Sequence, residues 1–154
     1  MKTSGLKTSD LMSRPALSVP SGTPLGRVAH EMAEYAVGSV LVTEGGTLRG
    51  IVTDRDLAVR ALAGRLDDTE PVDTVMTTPV ITVSVDDDVH VAYRAFRRSG
   101  VRRLPVVDGG RVVGMLTVDD LLIDVFQRLA DLLGPVAWSV LEEPPGPPAE
   151  GTRS

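Results

Sequence analysis

The chain has 154 residues, 42% apolar and 24% charged, which suits one compact soluble unit or two small subdomains sharing a core. A formal net charge of −5 argues against nucleic acid and anionic membranes as default partners, and 3% aromatics leave too few rings for base-stacking platforms. The absence of cysteine excludes disulfides and thiolate chemistry, and no apolar run matches a signal core or a membrane span, so the cytoplasm is the expected location.

Residues 1–9 are expected as a flexible tail. A short apolar strand is predicted at Leu17–Val19. Thr23-Pro24 then marks a helix start, and Leu25, Val28, Ala29 and Met32 recur at the spacing that lines one helix face. Two apolar strands follow, joined by Glu44-Gly45-Gly46, whose glycines accept the positive φ of a tight hairpin. The second strand ends at Thr53, and a short helix runs from about Arg55 to near Gly64. A polar linker is expected at 64–73. The pattern then recurs: a strand at Ile81–Val83, a helix start at Asp86-Asp87-Asp88, and a face of Val89, Ala92, Tyr93 and Phe96 that stops at Gly100. A hairpin through Asp108-Gly109-Gly110 leads to a helix carrying Leu121, Leu122, Val125, Leu129 and Leu132, for which Gly134-Pro135 reads as a strong stop. Beyond it lie an apolar stretch with the single tryptophan, Trp138, a candidate anchor for tail or partner, and a Pro/Gly-rich end expected to be disordered from about residue 144.

The two halves align without a gap when the chain is shifted by 64 residues. Val40–Gly46 (VLVTEGG) meets Leu104–Gly110 (LPVVDGG), and Leu48–Thr53 (LRGIVT) meets Val112–Thr117 (VVGMLT). Each half reads β-α-β-β-α, giving an α/β (α+β) fold with repeats at 10–63 and 74–133 and an extension at 134–154. Two copies are too few for a solenoid, so a pseudo-twofold pair is expected.

The most specific repeated phrase is GIVTDRDL (Gly50–Leu57) and GMLTVDDL (Gly114–Leu121). Thr followed three residues later by Asp is the spacing of a reciprocal helix cap. The same spacing also suits binding. First-turn N–H groups and a Thr hydroxyl can face phosphate, an Asp carboxylate can accept from vicinal ribose hydroxyls, and the leading glycine lets backbone approach closely.

With Leu11–Val19 (LMSRPALSV), Val75–Val83 (VMTTPVITV), Gly38–Ala58 (GSVLVTEGGTLRGIVTDRDLA) and Val101–Leu122 (VRRLPVVDGGRVVGMLTVDDLL), the chain resembles the cystathionine-β-synthase (CBS) domain family, as a stand-alone tandem pair or Bateman module. The resemblance spans about Asp10 to Leu133 and extends to pairs of the bacterial stress and hypoxia response. It implies two symmetry-related clefts that take AMP, ADP, ATP or S-adenosylmethionine as a regulatory ligand, with no required cofactor, and a flat homodimer that signals through its own rearrangement or through an unidentified regulated protein. Asp56 and Asp120 would meet ribose, with Thr53 and Thr117 beside them. Adenine would lie near Leu17 or Ile81 and near Val37 or Val101. Phosphate would meet Gly38-Ser39 in one copy and Arg102-Arg103 in the other. Those positions differ in charge, as do Arg55 and its counterpart Asp119, so the two clefts are expected to be unequal, with at most one binding tightly.

An alternative is a stress-response scaffold with no nucleotide, in which both Thr-x-x-Asp phrases are caps alone. No nucleophilic elbow or phosphate loop is present, so catalysis is not expected. His90 beside the Asp86–Asp88 cluster could suggest a hard metal, but a helix start explains those acids, and no metal site is expected. Arg97 and Arg98 suit the C-terminal end of their helix as solvated cations.

Overall fold

A computed structural model describes residues 5–14 and 16–142, with side chains described through Gly134. In chain order the elements are α1 (Thr8–Leu11), β1 (Ser18–Pro20), α2 (Leu25–Tyr35), β2 (Ser39–Glu44), β3 (Thr47–Thr53) and α3 (Asp54–Asp56), which continues as a π-helical turn over Leu57–Leu62. A 3-10 turn at Val72–Thr74 leads to β4 (Val83–Ser84), α4 (Val89–Ser99), β5 (Arg103–Asp108), β6 (Arg111–Thr117) and α5 (Val118–Glu142). The sheet and everything through Asp120 form one unit; α5 from Leu121 onward belongs to a second.

The six strands form one mixed sheet in the order β1-β2-β3-β6-β5-β4. Exchanging the repeats turns this order into its own reverse, as the 64-residue shift requires. The outer pairs β1–β2 and β4–β5 are parallel, the hairpins β2–β3 and β5–β6 antiparallel, and β3 meets β6 antiparallel where Thr47 faces Arg111. Each hairpin turns on two glycines with positive φ, 59° and 84° at Gly45-Gly46 and 58° and 82° at Gly109-Gly110. That conformation matches the right-handed twist of the flanking strands. β2 is buried from Ser39 to Val42 because α2 covers one side of it, through Leu25, Val28 and Met32.

The segments preceding each repeat are exchanged. Thr77 pairs with Ile51 on β3, and Ser13 pairs with Met115 on β6, in both cases antiparallel and across the repeats. Val72 and Val75, fully buried, join the core of repeat 1 with Val19, Val28, Val40 and Val52. The N–H of Val72 donates to the Thr23 carbonyl at 2.8 Å, and that of Thr8, one repeat earlier, donates to Asp87 at 2.9 Å. Gly50 and Gly114 are glycines for this reason. A Cβ on Gly50 would lie 2.5 Å from the Met76 sulfur, and one on Gly114 would lie 2.8 Å from the Met12 sulfur. The close approach read from these glycines is therefore made by methionines of the exchanged segments.

Several expectations change. Residues 5–9 are not a loose tail: Thr8 is fully buried, and both its N–H and its hydroxyl donate to the Asp87 carbonyl. The 64–73 stretch is not only a polar linker, because it carries Val72 into the core. Ala29 and Tyr93 are exposed, leaving a narrower apolar stripe on each helix. Gly134-Pro135 does not stop α5, which runs on to Glu142. A glycine ends a helix by turning left-handed, and Gly134 is not among the positive-φ residues. Pro135 removes a single intrahelical donor, and Asp131, four residues back, is exposed to water that can serve the freed carbonyl. The side chain of Trp138 and the segment from residue 143 lie outside the described residues. Asp88 caps α4 by accepting from the His90 N–H at 2.9 Å, and no metal-holding group of acids and histidines occurs among the described residues.

α2 and α4 end on residues in the left-handed conformation, Ala36 (φ 52°) and Gly100 (φ 69°). Only the glycine adopts that conformation without a Cβ penalty. Ala36→Gly should therefore raise the unfolding free energy by up to about 1 kcal/mol in urea titration, with loss of stability as the contrary result.

The Ser21 hydroxyl and the Gly22 N–H both donate to Asp73, which holds its carboxyl below the ordinary carboxylate range. A depressed folded-state pKa gives stability that is present above the unfolded value and is lost as pH falls through the folded one. Asp73→Asn should thus lower Tm at neutral pH, and the gap to the parent should close below about pH 4. A gap that persists unchanged to lower pH would contradict this assignment.

Candidate functional site

Both Thr-x-x-Asp phrases form the reciprocal cap. The Asp56 N–H donates to the Thr53 hydroxyl at 3.1 Å, and the Thr53 N–H donates to the Asp56 carboxylate at 2.9 Å. Thr117 and Asp120 repeat the pair at the same two distances. Capping does not exhaust either residue. Each threonine hydroxyl still has a proton to donate, and a carboxylate has about four acceptor positions. The second oxygen of Asp56 lies 3.8 Å from Arg60 Nε, and Arg60 Nη1 donates to the Val75 carbonyl at 3.1 Å. The acid is thereby tied to the exchanged segment.

Beside Thr53–Asp56 opens a cleft of about 550 Å³, within the range of small-molecule sites. Its walls come from both repeats. Repeat 1 contributes Ile51 and Thr53–Asp56; the chain leading into repeat 2 contributes Thr77 and Pro79–Ile81; repeat 2 contributes Gly100–Arg103. The exchange creates this arrangement, because pairing Thr77 with Ile51 carries Pro79–Ile81 past the end of β3. The lining is mostly apolar, with three arginines (Arg55, Arg102, Arg103) and two aspartates (Asp54, Asp56) at the polar edge.

Of the sequence-predicted site residues, Thr53, Arg55, Asp56, Ile81, Val101, Arg102 and Arg103 come together here. Leu17, Val37, Gly38, Ser39, Thr117 and Asp120 do not line this cleft; the 64-residue shift relates them to its sister position. Ser39 is buried and pairs with Thr53 across β2–β3, and the Leu17 carbonyl accepts from the Leu41 N–H. Sequence reasoning missed Ile51, Asp54, Thr77, Pro79, Val80 and Gly100. Ile51 was accessible from the strand period, since residues two apart share a sheet face with Thr53. Asp54 and Gly100 adjoin predicted residues in the chain, whereas Thr77, Pro79 and Val80 depend on the exchange, which has no local signal.

The cleft's charge is set across the repeats. A Cβ on Gly38 would stand 3.1 Å from Arg103 Nη2 and 3.4 Å from Asp54 Oδ2. The lack of a side chain at the start of β2 therefore lets the arginine from β5 reach over repeat 1.

A duplicated β-α-β-β-α unit with exchanged lead segments and a Thr-x-x-Asp cleft between the copies defines a tandem small-domain pair. The model of the CBS domain matches residues 9–62 and 72–126, and the chain belongs to that family. It is 31% identical over 115 residues to the CBS domain-containing protein YhcV of Bacillus subtilis, covering 75% of this chain and 82% of that one. It is 38% identical over 98 residues to a Methanopyrus kandleri protein, of whose length it spans 50%. Among solved structures it is similar to the CBS domain protein PAE2072 from Pyrobaculum aerophilum complexed with AMP, with 37% identity, a TM-score of 0.69, and 75% of this chain and 90% of that chain covered. It is also similar to the CBS domain pair of protein MJ0100 in complex with 5-methylthioadenosine and S-adenosyl-L-methionine, with 26% identity, a TM-score of 0.70, and 80% and 98% covered.

Because the Thr53 hydroxyl is a working cap, Thr53→Ala should lower stability by about 1 kcal/mol in denaturant titration, and Thr53→Ser should restore most of the loss. Equal stability of all three proteins would show that the cap contributes nothing.

Proposed function

We propose that this protein is a regulatory module that senses an adenosine compound in the cleft between its repeats. The observation that carries the reading is the composition of that cleft: a hydroxyl–acid pair from repeat 1 facing an apolar wall and two arginines from repeat 2. In this reading Asp56 accepts from the ribose hydroxyls, Thr53 donates to the ligand, and Ile81 and Val101 flank the adenine. Thr117, Asp120, Leu17, Val37, Gly38 and Ser39 take the corresponding places in the sister position. The similar proteins solved with AMP, and with 5-methylthioadenosine and S-adenosyl-L-methionine, support adenosine as the common part of the ligand.

The module acts by binding rather than by catalysis, and its output passes through a dimer or a partner protein. Val59 and Leu62 are exposed, and so are Ile123 and Phe126, the same positions one repeat later. Exposed apolar residues at matching places in both repeats favour a self-complementary homodimer contact. No helix of the described residues is long and apolar enough to cross a membrane. One observation favours the second reading, a scaffold without nucleotide: both Thr-x-x-Asp pairs are mutually satisfied as caps without any ligand.

A thermal-shift series with AMP, ADP, ATP and S-adenosylmethionine separates the two, because a ligand that binds only the native state raises its apparent stability. At least one compound should raise Tm by several degrees, and Asp56→Ala should abolish the rise while leaving a cooperative transition. No shift with any of the four would favour the scaffold.

A further inference from the structure

We infer that two copies of the chain meet head to tail, the α4 face of repeat 2 in each copy seated in an apolar groove on repeat 1 of the other. The inference rests on the homodimer reading above and names the faces and the orientation that the reading leaves open.

The groove lies on repeat 1. Ala29 on α2, Ala58 and Leu62 on the π-helical turn, and Leu66 line a space of about 320 Å³. Leu62 is 79% exposed, so the groove holds apolar surface that a partner could remove from water. Its rim is acidic. Asp67 and Asp68 stand there, and among the described residues neither carboxylate lies within ion-pair distance of a cation. Gly26 lets that rim cross the start of α2. Its N–H donates to the Asp68 carbonyl at 2.8 Å, and a Cβ there would stand 3.1 Å from the Asp68 Cβ.

The matching face lies on α4. The 64-residue shift replaces Gly26, Ala29 and Ala33 by His90, Tyr93 and Arg97, three exposed side chains at the spacing of one helix face. The His90 and Tyr93 rings stand 6.2 Å apart. Arg94 and Arg97 lie beside them, and neither is within ion-pair distance of an acid among the described residues. Repeat 1 is thus hollow with an acidic rim, and repeat 2 is raised with a cationic one.

Size and sign fix the pairing. A twofold contact between like repeats would set Ala29 on the partner's Ala29 and leave the groove unfilled. It would also set Tyr93 and its arginines on the partner's Tyr93 and arginines, where like charges repel. Opposite repeats remove both faults. When α2 runs antiparallel to the partner's α4, with Ala29 facing the partner's Tyr93, Gly26 faces the partner's Arg97 and Ala33 faces the partner's His90. Each pair sets a small residue against a large one, and Asp67 and Asp68 come opposite the partner's Arg97. Twofold symmetry makes this contact twice. The Tyr93 ring anchors it, and the rim charges select the orientation.

Sedimentation equilibrium of the full chain measures the dimer dissociation constant. Ala29 and Tyr93 are both exposed, so changing them leaves the core alone. Tyr93→Ala and Ala29→Tyr should each weaken the dimer at least about tenfold, the first by removing the anchor and the second by filling the groove. The double variant Ala29→Tyr/Tyr93→Ala again sets a ring against a small residue and should return to within about threefold of the parent. Because the chain has no cysteine, thiol cross-linking then reads the orientation. Ala33→Cys/His90→Cys should give a covalent dimer with a short bis-maleimide, and Ala29→Cys should not. Single variants that dimerise as tightly as the parent, a double variant weaker than either single one, or a covalent dimer from Ala29→Cys but not from Ala33→Cys/His90→Cys would overturn the inference alone. A parent that stays monomeric at millimolar concentration would remove the homodimer reading and this inference with it.

Discussion

The packing of two methionines on two glycines holds this fold together. Met76 lies against Gly50 on β3, and Met12 lies against Gly114 on β6, each crossing from the segment that leads into the other repeat. The backbone bridges Thr77–Ile51 and Ser13–Met115 run beside them. Each half therefore completes its core with chain from outside its own β-α-β-β-α unit. Val72 and Val75 fill repeat 1, and Thr8 fastens the N-terminal segment to repeat 2. A side chain at position 50 or 114 would need space that the methionine occupies, and interiors packed to crystal density have little to spare.

The cleft follows from the same exchange. Pairing Thr77 with Ile51 brings the approach to β4 alongside the end of β3, where the Thr53–Asp56 cap stands. Arg60 links the two, with one contact to Asp56 and another to the Val75 carbonyl. A ligand that engages Asp56 would therefore act on a residue connected to the segment that joins the repeats. Such a link gives binding a physical route to conformation, provided the ligand prefers one state of that contact. The residue one repeat after Arg60 is Asp124, so the sister position lacks this connection.

Much of this was legible in the sequence because it is local. The 64-residue shift, the Gly-Gly hairpins, the Asp88 and Gly100 caps and both Thr-x-x-Asp boxes depend on residues a few positions apart. Non-local features were not legible. Nothing in Gly5–Ser9 or in 64–73 announces that these stretches complete a neighbouring core; Val72 is one apolar residue in a polar run. The assignment of site residues to clefts was hidden for the same reason, since Thr53 and Arg103 meet only across the repeats. The glycine of the repeated phrase read as room for backbone to approach a ligand, and it is room for a methionine instead. Gly134-Pro135 misled in the other direction. A strong local stop signal is overridden where the glycine stays right-handed and the single lost hydrogen bond is open to water.

The two halves of the sheet are expected to unfold as one cooperative unit, because each holds the other's leading segment. Native-state amide hydrogen exchange on Gly50→Val tests it most directly, since a Cβ there meets the Met76 sulfur at 2.5 Å and the Met76 Cβ at 3.1 Å. Amides of β2 in repeat 1 and of β5 in repeat 2 should lose protection together and by similar factors. Loss confined to β2, with β5 as protected as in the parent, would contradict it.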